Sequence, residues 1–125
     1  MKYLGIDFGL RRVGLARSEG MLVTPLKIIE IKGFRDGVQQ ISDFARKEEF
    51  TKIVVGLPEG KIGKTVLGFV TALRKEGFNV ETGDETLSSQ QATRQMVEEN
   101  IPQKKRYFND ATAAAIILQN YLDNL

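Results

Sequence analysis

The chain of 125 residues contains no cysteine and no histidine. Without these residue types it cannot build a Ser-His-Asp triad, a Cys-His dyad, a zinc finger or a metal site that uses imidazole or thiolate ligands. Any catalysis must therefore use carboxylates, Lys, Arg, Tyr or hydroxyl groups. A metal ion held by such a chain would have oxygen ligands only, which favours Mg²⁺ or Mn²⁺.

The chain also lacks long apolar runs and a strong excess of charge of either sign. No stretch approaches the roughly 20 apolar residues that cross a bilayer, and the short N-terminal apolar run is interrupted by Asp7, unlike a signal peptide. We expect no membrane partner, and the absence of cysteine favours a reducing cytoplasm. The net charge of +2 permits a polyanionic partner without requiring one. The length predicts one domain over 1–125.

The first eighteen residues, MKYLGIDFGLRRVGLARS, organise the rest of the chain. A short apolar run predicts a buried strand that ends at Asp7. A polar bend at 10–12 follows, and a second strand begins at Val13, where Gly14 allows close approach of another backbone. A carboxylate at the end of a buried strand is costly unless something pairs it. Asp7 is therefore a candidate site residue, and the alternative is that it only caps a turn through its own backbone.

The rest of the chain alternates between apolar runs of strand type and helical periodicity. Pro25 lies within the third predicted strand and indicates an edge position. The predicted elements are a third strand over 22–31, a helix over 36–49, a buried parallel strand over 52–56, a glycine-rich loop, a helix over 65–76, a strand over 78–82, helices over 88–100 and 110–124, and a loop between those two. This order predicts an α/β fold with a mixed sheet and helices on both faces.

Acidic residues occur where the predicted parallel strands end. Asp84 and Glu85 follow the fifth predicted strand, and Asp110 opens the last helix, so both places could lie near Asp7. Each acid alone could be a turn residue or a helix-terminal acid. Together they repel, by about 3 kcal/mol for a pair about 5 Å apart at an effective dielectric constant near ~20. Divalent cations relieve such repulsion and could catalyse phosphodiester hydrolysis without histidine.

Four segments resemble the YqgF/RuvX family: GIDFGLRRVGLARS, IVVGLP, DETLSS and DATAAAIILQNYL. The resemblance implies an RNase H-like nuclease domain with a five-stranded mixed sheet of order 3-2-1-4-5, in which strand 2 is antiparallel. It implies 5′-end processing of pre-16S ribosomal RNA or resolution of Holliday junctions. It also implies that Asp7, Glu85 and Asp110 are the catalytic acids and ligands of Mg²⁺ or Mn²⁺. Thr86 stands where the family usually has Arg, and the loop after Pro58 lacks the family's usual Asp-Gly pair.

Basic residues are expected to form a positive rim around these acids and to bind nucleic acid through its phosphates. Arg11 and Arg12 lie in the bend after Asp7, and two lysines are placed in the loop after the fourth strand. The alternative for each is a solvated surface charge. The full candidate set is Arg11, Arg12, Lys61, Lys64, Arg94, Lys104, Lys105 and Arg106.

The leading hypothesis is a metal-dependent nuclease acting on structured RNA or branched DNA, for which a homodimer would suit junction cleavage. One alternative is a catalytically silent nucleic-acid-binding protein on the same fold, which the change at Thr86 favours. Another is an actin-like phosphate-handling domain, which nucleotide calorimetry would detect. A P-loop is disfavoured, because Gly63-Lys64-Thr65 has Pro58 where that motif requires glycine.

Overall fold

The computed structural model describes residues 1–57, 62–84 and 109–125. Its elements in chain order are β1 (Lys2–Phe8), β2 (Arg12–Glu19), β3 (Leu22–Glu30), α1 (Phe34–Lys47), β4 (Lys52–Leu57), α2 (Ile62–Lys75), β5 (Val80–Asp84) and α3 (Asn109–Asp123). The helix expected over 88–100 and the loop expected over 101–108 lie outside the described residues. None of the helices in the described part of the chain is long and apolar enough to cross a membrane.

The five strands form one sheet in the order β3-β2-β1-β4-β5. β2 is antiparallel to both of its neighbours, and β1, β4 and β5 are parallel. This confirms the mixed sheet and the strand order that the family resemblance implied. Pro25 lies on the edge strand β3, as expected, next to a shift in register between Leu15 and Ala16. An edge strand tolerates proline because one row of its backbone groups has no partner strand.

The predicted start of the helix after β4 is wrong. α2 begins at Ile62, three residues before the predicted start at Thr65, so Lys64 lies in the helix and not in the preceding loop. The buried helical stripe of Val66, Phe69 and Val70 extends back to Gly63, which is also buried. The glycines suggested a loop, but packing against the sheet favours the helical conformation there.

The fifth strand also begins and ends two residues later than predicted. Gly77 has a φ of 97° and ends α2 as expected, but the backbone N–H of Phe78 donates to the carbonyl of Leu73 at 3.3 Å and so completes the turn after the helix. Parallel pairing with β4 then continues to Leu57 and Asp84. Asp84 is therefore the last residue of β5, and it does not follow the strand.

One face of the sheet packs against α1 and α2 through large side chains. The Phe8 and Phe69 rings stack with their centroids 4.4 Å apart, and Phe34 meets both rings edge-on. Leu4 and Ile6 of β1 belong to the same cluster. We call this the aromatic face of the sheet. It contains the larger share of the buried apolar side chains in the described residues.

The opposite face packs against α3 and has glycines where the helix comes closest to the strands; we call it the glycine face. A Cβ atom added to Gly5 would lie 2.8 Å from the carbonyl oxygen of Ala114 and 2.9 Å from Cβ of Leu118, so the backbones of β1 and α3 nearly touch. The expected apolar face of the helix is confirmed at Ala111, Ala114, Leu118 and Leu122. Ala115 is only half-buried, because Ala113 and Ile117 turn inward in its place.

Candidate functional site

Asp7 lies one residue before the end of β1, at the edge of the sheet where the parallel strands end. Side chains alternate along a strand, so Asp7 shares the glycine face with Tyr3 and Gly5, while Ile6 and Phe8 point to the aromatic face. The residue is only 9% exposed. The strand register places it opposite Gly14 of β2. The predicted placement of a buried carboxylate at this edge is confirmed.

Asp110 is the second residue of α3 and lies in the first turn of that helix. Its side chain is 31% exposed. Burial raises the pKa of the Asp110 carboxyl, the negative charge of Asp7 raises this pKa further, and Arg12 opposes both effects. The two acids that belong to opposite ends of the sequence therefore interact at one edge of the sheet.

Arg12 connects the bend after β1 to this pair of acids. Its Nε atom lies 3.7 Å from Oδ2 of Asp110, and its side chain is half exposed. An ion pair of this length and exposure contributes little to stability. The net pKa shift of Asp110 is upward, so Arg12 offsets only part of the effect of burial and of Asp7.

The donor chemistry of this edge fits a divalent cation. Asp7 and Asp110 offer carboxylate oxygens, which Mg²⁺ and Mn²⁺ prefer. A cation between them would relieve their mutual repulsion, which adds to burial in raising the pKa of Asp110. Within 1–57, 62–84 and 109–125, no three acidic side chains gather closely enough to hold a metal ion by themselves. The third predicted acid, Glu85, lies outside the described residues.

Three of the eight predicted nucleic-acid-binding residues lie in the described part of the chain. Arg11 is exposed in the bend beside the acids, Arg12 is exposed at the first position of β2, and Lys64 is exposed in the first turn of α2. All three are at the edge where the parallel strands end, although Lys64 is helical and not in a loop. The other five, Lys61, Arg94, Lys104, Lys105 and Arg106, lie outside the described residues.

A cleft of about 730 Å³ opens next to the bend. One of the cations that line it, Lys32, was not predicted from the sequence. Ile31 donates its backbone N–H to the carbonyl oxygen of Arg11 at 2.9 Å, which ties the end of β3 to the bend. Lys32 is therefore brought to the same edge. Its position directly after the third strand of a meander was the available signal, since that strand returns to the edge where β1 ends. The cleft is lined by Leu10, Arg11, Arg12, Glu30, Ile31 and Lys32.

The fold is similar to those of solved Holliday junction resolvases. The structure of Thermus thermophilus RuvC in complex with a Holliday junction substrate superposes with a TM-score of 0.65 over 99% of this chain and 96% of that chain, at 15% identity. The fowlpox virus resolvase in complex with Holliday junction DNA gives a TM-score of 0.64 over 99% and 98% of the two chains, at 10% identity. The chain thus has the RNase H-like fold of RuvC-type resolvases.

Sequence comparison then identifies the family. The model of the RuvX family, described as Holliday junction resolvase, matches residues 1–124. A relative from Endomicrobium trichonymphae is 33% identical and covers 98% of this chain and 95% of its own length. A relative from Clostridium acetobutylicum is 35% identical, with complete coverage of both chains. Both are named "Putative pre-16S rRNA nuclease". The chain belongs to the RuvX family, which confirms the resemblance.

Proposed function

We propose that this chain is a metal-dependent nuclease that hydrolyses phosphodiester bonds in structured nucleic acid, and that it processes the 5′ end of pre-16S rRNA. The observation that carries the proposal is the pair of acids Asp7 and Asp110 at one edge of the sheet, where burial and then the negative charge of Asp7 raise the pKa of Asp110. The names of the full-length relatives support the substrate. The absence of cysteine supports a reducing cytoplasm as the compartment.

In this proposal Asp7, Glu85 and Asp110 are the catalytic acids and hold Mg²⁺ or Mn²⁺. The bound ion supplies activation of a water molecule and stabilisation of the leaving oxygen. Asp7 contributes a carboxylate from a rigid strand end, so its position varies little. Asp110 must be ionised to act as a ligand, and cation binding favours the ionised form against the burial that opposes it.

The basic residues in the proposal hold the phosphate backbone on either side of the acids. Arg11 and Lys64 are exposed; in the proposal Arg11 contacts phosphates through its guanidinium N–H groups and Lys64 as a point charge, which confers affinity without base specificity. Arg12 pairs with Asp110 and has a half-exposed guanidinium, so it is placed to contact a phosphate held next to the acids. Lys61, Arg94 and the 104–106 run extend this rim in the proposal. Binding should weaken steeply as salt rises, because bound counterions are released.

Resolution of Holliday junctions is the second candidate function. The description of the matched family favours it. A junction is cut at two symmetry-related points, so this activity would require a homodimer that presents two copies of the site. Light scattering of the purified chain, with and without a four-way junction, would show whether this homodimer forms.

The test is cleavage of labelled pre-16S rRNA and of a four-way DNA junction, in Mg²⁺ and in Mn²⁺, by the wild type and by Asp7→Asn. The control is Asp43→Asn, which changes an exposed acid of α1 that accepts a hydrogen bond from Gln39. We expect site-specific cleavage of the RNA by the wild type and the control, and loss of cleavage in Asp7→Asn and in chelator.

The other outcomes separate the alternatives. Cleavage of the junction alone would replace the RNA-processing role by junction resolution. Binding of either substrate with no cleavage, and with no change on Asp7→Asn, would contradict the nuclease and favour the silent binding protein. In that case Thr86→Arg, which installs the residue usual in the family, is the next variant to assay.

A further inference from the structure

We propose that Gly14 is a positioning residue that sets the separation between the Asp7 and Asp110 carboxylates. This inference rests on the proposed function, because it treats those two acids as ligands of one divalent cation. It goes beyond that function because it assigns control of the spacing between the two metal ligands to a residue that has no side chain. Residue 14 has no space for a side chain, because the backbone of α3 lies against it.

A Cβ atom at residue 14 would collide with the backbone of α3. It would overlap the carbonyl group of Asp110 and lie 2.8 Å from the backbone nitrogen of Ala111. These are backbone atoms, so no change of rotamer can relieve the contact. Either the first turn of α3 must move away from β2, or the strand must move away from the helix.

The register of the sheet places this contact directly beside the other acid. Gly14 pairs with Asp7 across the antiparallel β1–β2 ladder. Neighbouring strands lie roughly 5 Å apart, so the residue that touches the backbone of Asp110 is also the nearest cross-strand neighbour of Asp7. A displacement of the first turn of α3 at this point therefore changes the distance between the two carboxylates.

Gly5 provides a matched comparison on the same face of the sheet. A Cβ atom there would also collide with α3, but in the middle of the helix, at Ala114 and Leu118. Movement of the helix centre disturbs the packed residues Ile117, Leu118 and Leu122. Movement of the first turn at Gly14 mainly disturbs Asp110. Gly14→Ala should thus reduce metal affinity, whereas Gly5→Ala should reduce stability and leave metal affinity largely unchanged.

The experiment titrates Mn²⁺ into the metal-free chain, with affinity measured by electron paramagnetic resonance and folding by circular dichroism. Mutation of a residue that orients a metal ligand typically costs about 10- to 100-fold in metal affinity. We expect Gly14→Ala to remain folded and to bind Mn²⁺ at least about tenfold more weakly than the wild type. Gly5→Ala should melt at a lower temperature than the wild type while its folded fraction keeps near wild-type affinity.

A longer acid distinguishes positioning from a general structural role. Asp110→Glu should weaken Mn²⁺ binding in the wild-type background, because the carboxylate is displaced by one methylene. The same change in Gly14→Ala should restore part of the lost affinity, since the added length compensates for the displaced helix turn. If Gly14→Ala does not fold, Asp110→Glu alone still tests the required spacing, and unchanged affinity in that variant would overturn the inference.

Failure of the inference differs from failure of the proposed function. If the wild type binds no Mn²⁺ and cleaves nothing, the metal-dependent nuclease is contradicted, and the role of Gly14 with it. If the wild type binds Mn²⁺ and loses that binding in Asp7→Asn, while folded Gly14→Ala binds as well as the wild type, the nuclease stands and the positioning role is overturned.

Discussion

The two faces of the sheet are packed in different ways. On the aromatic face, α1 and α2 are held off the strands by large side chains, with Phe69 fully buried between them and the sheet. On the glycine face, α3 approaches until its backbone nearly touches Gly5 and Gly14. The two acids that interact at the end of the sheet, Asp7 and Asp110, belong to the glycine face and to the helix packed against it.

This difference explains which face can carry a site that depends on geometry. Side chains that interdigitate can change rotamers, and such a core tolerates small shifts of a helix. Backbone atoms in van der Waals contact have no rotamers to change, so they hold the helix position more tightly than side chains do. Precise placement of Asp110 is thus a property of small residues, whereas most of the stability comes from large ones on the other face.

Phe69→Ala should have the largest effect on stability and the least on the site. Its ring is fully buried and stacks on Phe8, and truncation of such a residue costs about 3–5 kcal/mol. Urea denaturation measures the loss. Phe34→Ala is the control in the same cluster, and it should cost less because Phe34 is 39% exposed. Equal losses in the two variants would contradict the described packing of the aromatic face.

Replacing glycine by alanine should lower the stability at Gly5 and raise it at Gly68. Gly5→Ala forces α3 away from β1 and should cost about 1–3 kcal/mol, the usual range for overpacking. Gly68 lies at an exposed position of α2, where an added Cβ would meet the Phe34 ring at an ordinary 3.8 Å. Gly68→Ala should stabilise the helix by about 0.5–1 kcal/mol. Thermal melts compare the two, and a stabilising Gly5→Ala would refute the close backbone approach.

Asp110→Asn should stabilise the metal-free chain at neutral pH. The pKa of Asp110 is raised by burial and by Asp7, so its ionised form disfavours the folded state above that pKa. The gain should be at most about 1 kcal/mol after allowance for solvent screening. It should disappear below about pH 3.9, where the carboxyl is protonated in both the folded and the unfolded state.

Chemical denaturation at several pH values, with and without Mn²⁺, measures this effect. Ion binding stabilises only the wild type, so Mn²⁺ should reduce or reverse the advantage of Asp110→Asn. The matched control, Asp43→Asn, changes an exposed acid of α1 that lies away from Asp7 and Asp110, and it should show no such dependence on pH or metal. A pH-independent gain in Asp110→Asn would contradict the electrostatic explanation.

Local sequence patterns predicted most elements, because apolar periodicity reports which face of each segment is buried. They failed at Lys64, because the nearby glycines indicated a loop. Packing against the sheet extends the buried stripe of α2 back to Gly63, so Lys64 is helical. The strand order was implied by the family resemblance and not by periodicity, because the pairing of β1 with β4 joins residues about fifty positions apart.

The site was predictable to a different degree. Rules for strand ends and helix starts predicted that Asp7 and Asp110 lie at one edge, which the structure confirms. The sequence marks Gly14 as a place of close approach, but it does not identify the segment that approaches. A glycine permits close contact with any neighbouring backbone. The catalytic roles of Asp7, Glu85 and Asp110 stay predictions.

The central claim is that Asp7 and Asp110 act together on one bound metal ion. The most direct test measures the cleavage rate of pre-16S rRNA by Asp7→Asn, Asp110→Asn and the double variant in saturating Mn²⁺. Residues that act as a unit have non-additive effects. The account predicts that each single variant loses nearly as much activity as the double variant. Losses that multiply, so that the double variant is far slower than either single one, would show that the two acids act independently and would contradict it.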